Sequence, residues 1–318
     1  MGGVRLEAVE KVTETGCKDR DRTPKILEVW KVGQYTAPFF TRITLMRVRF
    51  WGVRGSTPTP QMENMGVGGN TSCIEVRSDG NQILIFDGGT GIRLLGKQLE
   101  KEFGNQPIRG HILFSHFHLD HIQGIPFFRP LYNPRNHFTF YFAGRRDANL
   151  VMDALAGIIA DPYFPVDMSK LPCSREYIDL TEGTFDVADT KILVLPLHHP
   201  QGCVGYRIIQ NGKIIAYCTD VEHGTDWSDR NVLTLAKDSD LFIVDSQYTP
   251  EELPDHEGWG HSSWKQAIES GIKAGAKKIA LYHHDPYHED SAIEEILQRA
   301  MKLHPSVIAA REGLEVTI

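Results

Sequence analysis

Ser115-His116-Phe117-His118-Leu119-Asp120-His121 follows directly on the apolar run Ile112-Leu113-Phe114. Three histidines and an aspartate fall within residues 116–121. In an extended chain His116 and His118 share a face, because side chains alternate with a period of two, so two imidazoles can chelate one ion. A turn after His118 would aim Asp120 and His121 at a neighbouring position, which predicts two metal positions rather than one. Four groups of this kind packed so tightly are costly to bury unless a cation compensates them.

Such a pair of ions needs further ligands, and the rest of the chain offers them at the ends of apolar runs. Leu193-Val194-Leu195-Pro196-Leu197 leads into His198-His199. Ile214-Ile215-Ala216-Tyr217-Cys218-Thr219 leads into Asp220, and Ile279-Ala280-Leu281-Tyr282 into His283-His284-Asp285-Pro286. Strand ends are rigid places from which to present functional groups. At two of these ends adjacent histidines compete for the same role, His198 with His199 and His283 with His284.

Outward from these runs, short β-rich segments alternate with amphipathic ones. Strands are predicted over 46–53, 73–77, 82–86, 111–115, 137–143, 191–197, 203–210, 213–219, 240–245 and 278–282, and helices over 91–103, 147–160, 228–237, 262–274 and 289–303. The last helix shows Ile293, Ile296, Leu297 and Ala300 at helical spacing. Asp79-Gly80-Asn81 reads as a hairpin turn. Strands outnumber helices and many precede the first long helix, which favours an α/β fold of two stacked sheets with helices outside. Residues 1–45 are charge-rich and weakly periodic, with a partly helical stretch near 5–14, and read as an extension of unassigned role. The compact domain is expected over 46–318. Residues 124–136, GIPFFRPLYNPRN, form a loop rich in proline, arginine and aromatic residues.

Composition narrows the class. The chain has 318 residues, 41% of them hydrophobic and 24% charged, which excludes a disordered chain or a small disulfide scaffold. With 34 basic against 41 acidic residues the net charge is −7, which argues against a chain-wide basic surface for nucleic acid but not against a local phosphate site. Cys17, Cys73, Cys173, Cys203 and Cys218 are odd in number and form no CxxC, a pattern expected of reduced thiols in a cytoplasmic protein. No apolar run reaches 18 residues, so no membrane span is expected.

The motif HxHxDH at 116–121, with distal His, Asp and His in order, resembles the metallo-β-lactamase fold superfamily over residues 46–318. His199 followed by Gly205-Tyr206-Arg207-Ile208, then Tyr217-Cys218-Thr219-Asp220, and Gly260-His261-Ser262-Ser263 before the last histidine are similar to its phosphodiesterase branch. That branch includes tRNase Z and the cyclic phosphodiesterase of phosphonate breakdown. Phe50-Trp51-Gly52-Val53-Arg54-Gly55-Ser56, Gly68-Gly69-Asn70-Thr71-Ser72-Cys73 and Asp87-Gly88-Gly89-Thr90-Gly91 look like a bacterial subgroup of that branch.

The resemblance implies a four-layer αββα sandwich of two mixed sheets. It implies that His116, His118 and His199 bind a first metal, that Asp120, His121 and His283 bind a second, and that Asp220 bridges them. His198 and His284 remain the alternatives at their positions. Two divalent ions are implied, zinc first, with manganese or iron also fitting such ligands. His118 stands where the diiron redox branch carries a carboxylate, which favours hydrolysis. The implied activity is a phosphodiesterase in which a metal-bridging hydroxide attacks a small or cyclic nucleotide-like diester. Asp120 would orient the nucleophile and accept its proton, and His261 would stabilise charge or protonate the leaving oxygen. Arg129 and Arg135 are candidates for phosphate contacts. A tRNase Z-like endoribonuclease ranks second, since no long Gly/Pro-rich arm for gripping tRNA is visible. A thioester or lactone hydrolase and a non-catalytic metal or nucleotide sensor are the remaining readings. A homodimer is an assembly that related enzymes adopt.

Overall fold

The computed structural model describes residues 45–78, 82–143 and 150–318. The expected extension, up to residue 44 and including its helical stretch at 5–14, lies outside the described residues, as do Asp79-Gly80-Asn81 and residues 147–149. Among the described residues the chain forms fourteen strands in two sheets. The first sheet contains β1 (Arg47–Gly52), β2 (Cys73–Arg77), β3 (Ile83–Phe86), β4 (Arg109–Phe114), β5 (His137–Ala143), β6 (Ser174–Leu180) and β14 (Glu315–Thr317) in the order β14-β1-β2-β3-β4-β5-β6. The second contains β7 (Gly183–Val187), β8 (Thr190–Leu197), β9 (Cys203–Gln210), β10 (Lys213–Cys218), β11 (Leu241–Asp245), β12 (Ile279–Tyr282) and β13 (Val307–Ala309) in the order β13-β12-β11-β10-β9-β8-β7.

Both sheets are mixed, and they repeat one plan. β14, β1, β2 and β3 are antiparallel neighbours, and β3, β4, β5 and β6 run parallel. Likewise β7, β8, β9 and β10 are antiparallel and β10, β11, β12 and β13 parallel. In this plan β3 corresponds to β10 and β4 to β11. The carboxyl ends of the parallel strands are where α/β sheets place their ligands, and this duplicated fold supplies two sets of them.

The period-two pattern explains the layers. In β4, Leu113 faces a core shared with Ile192, Tyr206, Ile243 and Tyr282 of the second sheet, while Ile112 and Phe114 face the opposite way. Behind the first sheet Ile112 and Phe114 pack against Leu95 and Leu99 of α1 (Ile92–Phe103). Past β4 the chain makes the single turn of α2 (Leu119–Ile122), and α3 (Leu150–Ile158) packs on the same outer core through Val151 and Leu155. Behind the second sheet, Val232 and Leu235 of α4 (Asp226–Ala236), Ala267 and Ile268 of α5 (Trp264–Ala274) and Ile296 and Ala300 of α6 (Asp290–Leu303) cover Ala216, Phe242 and Ile279. The result is the expected αββα sandwich. α5 begins with a capping box, in which Ser263 Oγ accepts from the Gln266 N–H and the Gln266 side chain accepts from the Ser263 N–H.

β6, β7, β13 and β14 are absent from the sequence-predicted set. β13 and β14 are three residues long. β6 and β7 end their sheets, and each pairs on one side only. Cys73, Cys173, Cys203 and Cys218 are free and buried. Among the described residues no helix is long and apolar enough to cross a membrane.

Candidate metal centre

The sheet plan delivers the predicted residues to one place. β4 ends at Phe114, the chain bends at Ser115 and is extended at His118 (φ −62°, ψ 151°), and α2 then carries Asp120 and His121. The expected turn after His118 is therefore present. His199 follows β8, Asp220 follows β10 and His283 follows β12. Asp220 and His283 adopt left-handed backbone, with φ of 51° and 61°, and so does Asp87 (φ 61°) at the end of β3. Asp and His tolerate this region better than most residues. The bend turns each side chain sharply off its strand.

Two donor groups fall on the predicted ligands: His116, His118 and His199 form one, and Asp120, His121, Asp220 and His283 the other, while His261 joins two further groups, one with His199 and Asp220 and one with Asp245 and His283. His118 Nδ1 lies 3.0 Å from His199 Nε2. His121 Nε2 lies 3.2 Å from Asp120 Oδ2 and 3.3 Å from Asp220 Oδ1. His283 Nε2 lies 3.1 Å from Asp120 Oδ2 and 3.4 Å from Asp220 Oδ1. The other oxygen of Asp220, Oδ2, faces the first group, 3.6 Å from His116 Nε2 and 3.8 Å from His199 Nε2. One carboxylate thus presents an oxygen to each group. With ligand distances of about 2.0–2.2 Å, tetrahedral donors around one ion stand about 3.3–3.6 Å apart, so the spacing is compatible with small cations.

Each imidazole is oriented by a partner on its other nitrogen. His121 Nδ1 donates to Asp87 Oδ2 (2.9 Å), His199 Nδ1 to the Gly260 carbonyl (2.8 Å), and His283 Nδ1 to Gln247 Oε1 (3.0 Å). His118 is held the other way round, with Nε2 on Gln201 Oε1 at 2.8 Å, which leaves Nδ1 to the cluster. His116 Nδ1 contacts Ser115 Oγ at 3.0 Å, and its Nε2 is buried without a hydrogen-bond partner. An orphaned imidazole nitrogen beside a carboxylate is what a metal ligand looks like, since buried polar atoms otherwise find partners.

The electrostatics agree. Burial and the neighbouring imidazoles push His116 well below its usual pKa, and burial takes His199 to about 4, so both rings keep free lone pairs. Burial opposes charge on Asp120 and Asp220 too, yet the surrounding histidines hold both well below the usual carboxylate range. Against its own burial, His121 is held well above its ordinary value by Asp220, Asp120 and Asp87. Ionised carboxylates that draw positive charge to this spot fit divalent cations.

His284 is not part of the cluster. Its Nε2 donates to the Ala310 carbonyl at 3.0 Å, and burial with nearby Arg54 lowers its pKa to about 3. Among the described residues His198 belongs to neither donor group, and its backbone N–H donates to Ser228 Oγ. His261 stands beside the centre, its ring 5.2 Å from that of His199 and 5.1 Å from that of His283. Its Nδ1 donates to Asp245 Oδ2 at 2.7 Å. Burial disfavours the charged ring, but the Asp245 carboxylate raises its pKa to about 9. Arg129 lies on the outside of the first sheet, paired with Glu100 at 3.2 Å, and Arg135 is exposed.

Several supporting residues have no role assigned from sequence. Asp87 gathers the Ser115 N–H and hydroxyl, His121 and the Tyr217 hydroxyl on one fully buried carboxylate. Asp245 bears the same signature as Asp220, an apolar strand ending in aspartate. The segment Phe50–Ser56 also reaches the centre. Arg54, fully buried, donates to the carbonyls of Gly68, Asp285 and His288 and so braces the loop behind His283. The Ser56 N–H donates to Asp120 Oδ2 at 2.8 Å. A Cβ on Gly55 would lie 2.4 Å from His283 Nδ1. Gly55→Ala is therefore expected to lower the unfolding free energy by about 1–3 kcal/mol, the usual range for overpacking. Urea denaturation measures it, and an unchanged midpoint would show that the ring yields freely.

Similarity to known proteins agrees with this geometry. The Beta-lactamase superfamily domain model matches residues 84–284. Ribonuclease Z of Haloarcula marismortui is 22% identical over 317 residues, covering 85% of this chain and 96% of its own. The metallo-beta-lactamase fold protein YhfI from Bacillus subtilis superposes with a TM-score of 0.63 at 18% identity, over 86% of this chain and 99% of that one. A diphosphatase from the PhnP family gives 0.62 at 17% identity, over 85% and 97%. The family match spans more than half of the sequence and takes in every clustered donor from His116 to His283, and the chain belongs to the beta-lactamase superfamily.

Proposed function

We propose that the protein is a binuclear metal-dependent phosphodiesterase. The observation that carries this reading is the Asp220 carboxylate, which gives one oxygen to each of two histidine-rich donor groups. His116, His118 and His199 would hold one ion, Asp120, His121 and His283 the other, and Asp220 both, with zinc the first expectation and manganese or iron alternatives. Such ions supply a water of lowered pKa and Lewis-acid polarisation of phosphoryl oxygens.

The chain's own groups do the rest. Asp120, fixed by the Ser56 N–H, orients the attacking water and accepts its proton. His261 has Nδ1 engaged by Asp245, so its Nε2–H is free to donate to the leaving oxygen as the P–O bond breaks. A protonated imidazole beside the centre suits a poor alkoxide leaving group and has less to offer a lactone or thioester.

A second reading, an RNA endonuclease, is supported by the relative named Ribonuclease Z, whose length the match almost fully covers. Both readings predict hydrolysis of bis-p-nitrophenyl phosphate by protein loaded with zinc or manganese. They also predict loss of that activity on chelation and little turnover of a thioester or a lactone. Preferred turnover of the thioester or lactone would overturn the phosphodiesterase reading.

A further inference from the structure

The proline-, arginine- and aromatic-rich segment 124–136 contributes no donor to the metal centre. It follows α2 and makes two short 3-10 turns, Ile125–Phe127 and Arg129–Tyr132. Between it and α1 lies an open groove of about 610 Å³, lined among others by Arg93, Glu100, Phe127, Arg129, Tyr132 and Phe164. That volume is within the range of small-molecule sites, about 300–1,000 Å³. Phe127 is 54% exposed and Tyr132 39%.

The rings are nevertheless fixed. Phe127 stands edge-on to Phe164 at 5.7 Å, and the Tyr132 hydroxyl donates to the Pro126 carbonyl at 2.7 Å. Arg129 pairs with Glu100 at 71% exposure, a surface pair that solvent keeps weak, and Arg93 is exposed. Both walls of the groove continue from segments packed on the backbone of Asp120 and His121. Gly89, just before α1, lies so close to Asp120 that a Cβ there would be 2.2 Å from its carbonyl oxygen. The Gly88 N–H donates to the His121 carbonyl, and the Gly124 N–H to that of Gly88. From Arg93 to Glu100 the α1 wall runs for about 10 Å, at 1.5 Å per residue.

We propose that this groove holds a single-stranded segment of a polynucleotide substrate beside the scissile phosphate. The inference rests on the phosphodiesterase reading and names its substrate class. Fixed, open aromatic faces stack bases without regard to sequence, and guanidinium groups take the phosphates between them. On a chain of net charge −7 a local pair of arginines on one groove can hold a strand that the rest of the surface repels. A small cyclic diester bound at the metals would leave the groove empty.

The test is fluorescence anisotropy of a short labelled phosphorothioate oligoribonucleotide on the metal-loaded full chain. Arg93→Glu with Arg129→Glu is expected to weaken binding at least about tenfold. It should also flatten the log–log salt dependence by about 1.4, at about 0.7 for each single-strand phosphate that the two arginines neutralise. Arg93→Lys with Arg129→Lys should restore most of the salt slope. Phe127→Ala should cost at least about fivefold with the slope unchanged. Melting temperatures should match the wild type, since all three side chains are exposed. A wild-type chain that does not bind the oligonucleotide, or glutamate variants that bind as the wild type does, would overturn the groove. Failure to hydrolyse bis-p-nitrophenyl phosphate would count against the phosphodiesterase reading instead, and the anisotropy decides the groove in either case.

Discussion

If the proposed binuclear phosphodiesterase reading holds, Asp220→Ala is expected to abolish hydrolysis of a phosphodiester and to remove at least one of the two proposed ions. In this geometry Asp220 presents Oδ1 toward His121 and His283 and Oδ2 toward His116 and His199. Its removal leaves the Nε2 atoms of those buried rings facing one another, with Asp120 the remaining carboxylate of their donor group. The loss of negative charge disfavours a second dication, and the pair of ions is what holds nucleophile and phosphoryl oxygen together. A loss of about a thousandfold or more in kcat, at least about 4 kcal/mol of barrier, is expected. Asp220→Asn should behave in nearly the same way, because an amide nitrogen cannot replace the second oxygen as a ligand. Elemental analysis of the purified variants, run beside bis-p-nitrophenyl phosphate turnover and a circular-dichroism melt, measures both effects. Two ions per chain with wild-type turnover in a folded Asp220→Ala protein would refute the bridging role.

The residues that make up this centre were legible for a physical reason. Metal binding needs particular side chains, and the candidate donors sit at or just past the ends of apolar strands, so β4, β8, β10 and β12 each read as a hydrophobic run followed by His or Asp. Residues that act one step behind the ligands carry weaker marks. Asp87 and Asp245 stand at the ends of β3 and β11, as Asp220 stands just past β10, yet nothing in composition says that their partners are His121 and His261. The choice between His283 and His284 is also invisible in sequence. It depends on a left-handed backbone at His283 and on the missing Cβ of Gly55, which together turn one ring into the cluster and the other toward Ala310. The fold class followed from the alternation of strands and helices. The edge strands did not, because β6 and β7 alternate half-buried with exposed residues, and their pairing is fixed by neighbours far along the chain rather than by their own pattern.

His261→Ala should lower turnover by an amount that depends on the leaving group. The ring's Nδ1 is committed to Asp245, and that carboxylate keeps it protonated where an isolated buried imidazole would be neutral. A general acid contributes about 10²–10⁴-fold, but only where the departing oxygen needs a proton. With a diester that expels an activated aryl oxide the loss is expected to be small, within about tenfold. With an alkyl or ribosyl leaving group it should reach the full range. The pH profile has a definite sign. The acid must hold its proton, so activity on the alkyl diester falls as pH rises through the pKa of His261. Replacing Asp245 by Asn removes the charge that raises that pKa, so the falling limb moves to lower pH in Asp245→Asn and is missing from His261→Ala. Steady-state kinetics on an aryl and an alkyl diester across the pH range separates this role from a merely structural one. A misplaced metal centre would slow both substrates equally and leave the limb where it was, and that pattern would remove His261 from proton transfer.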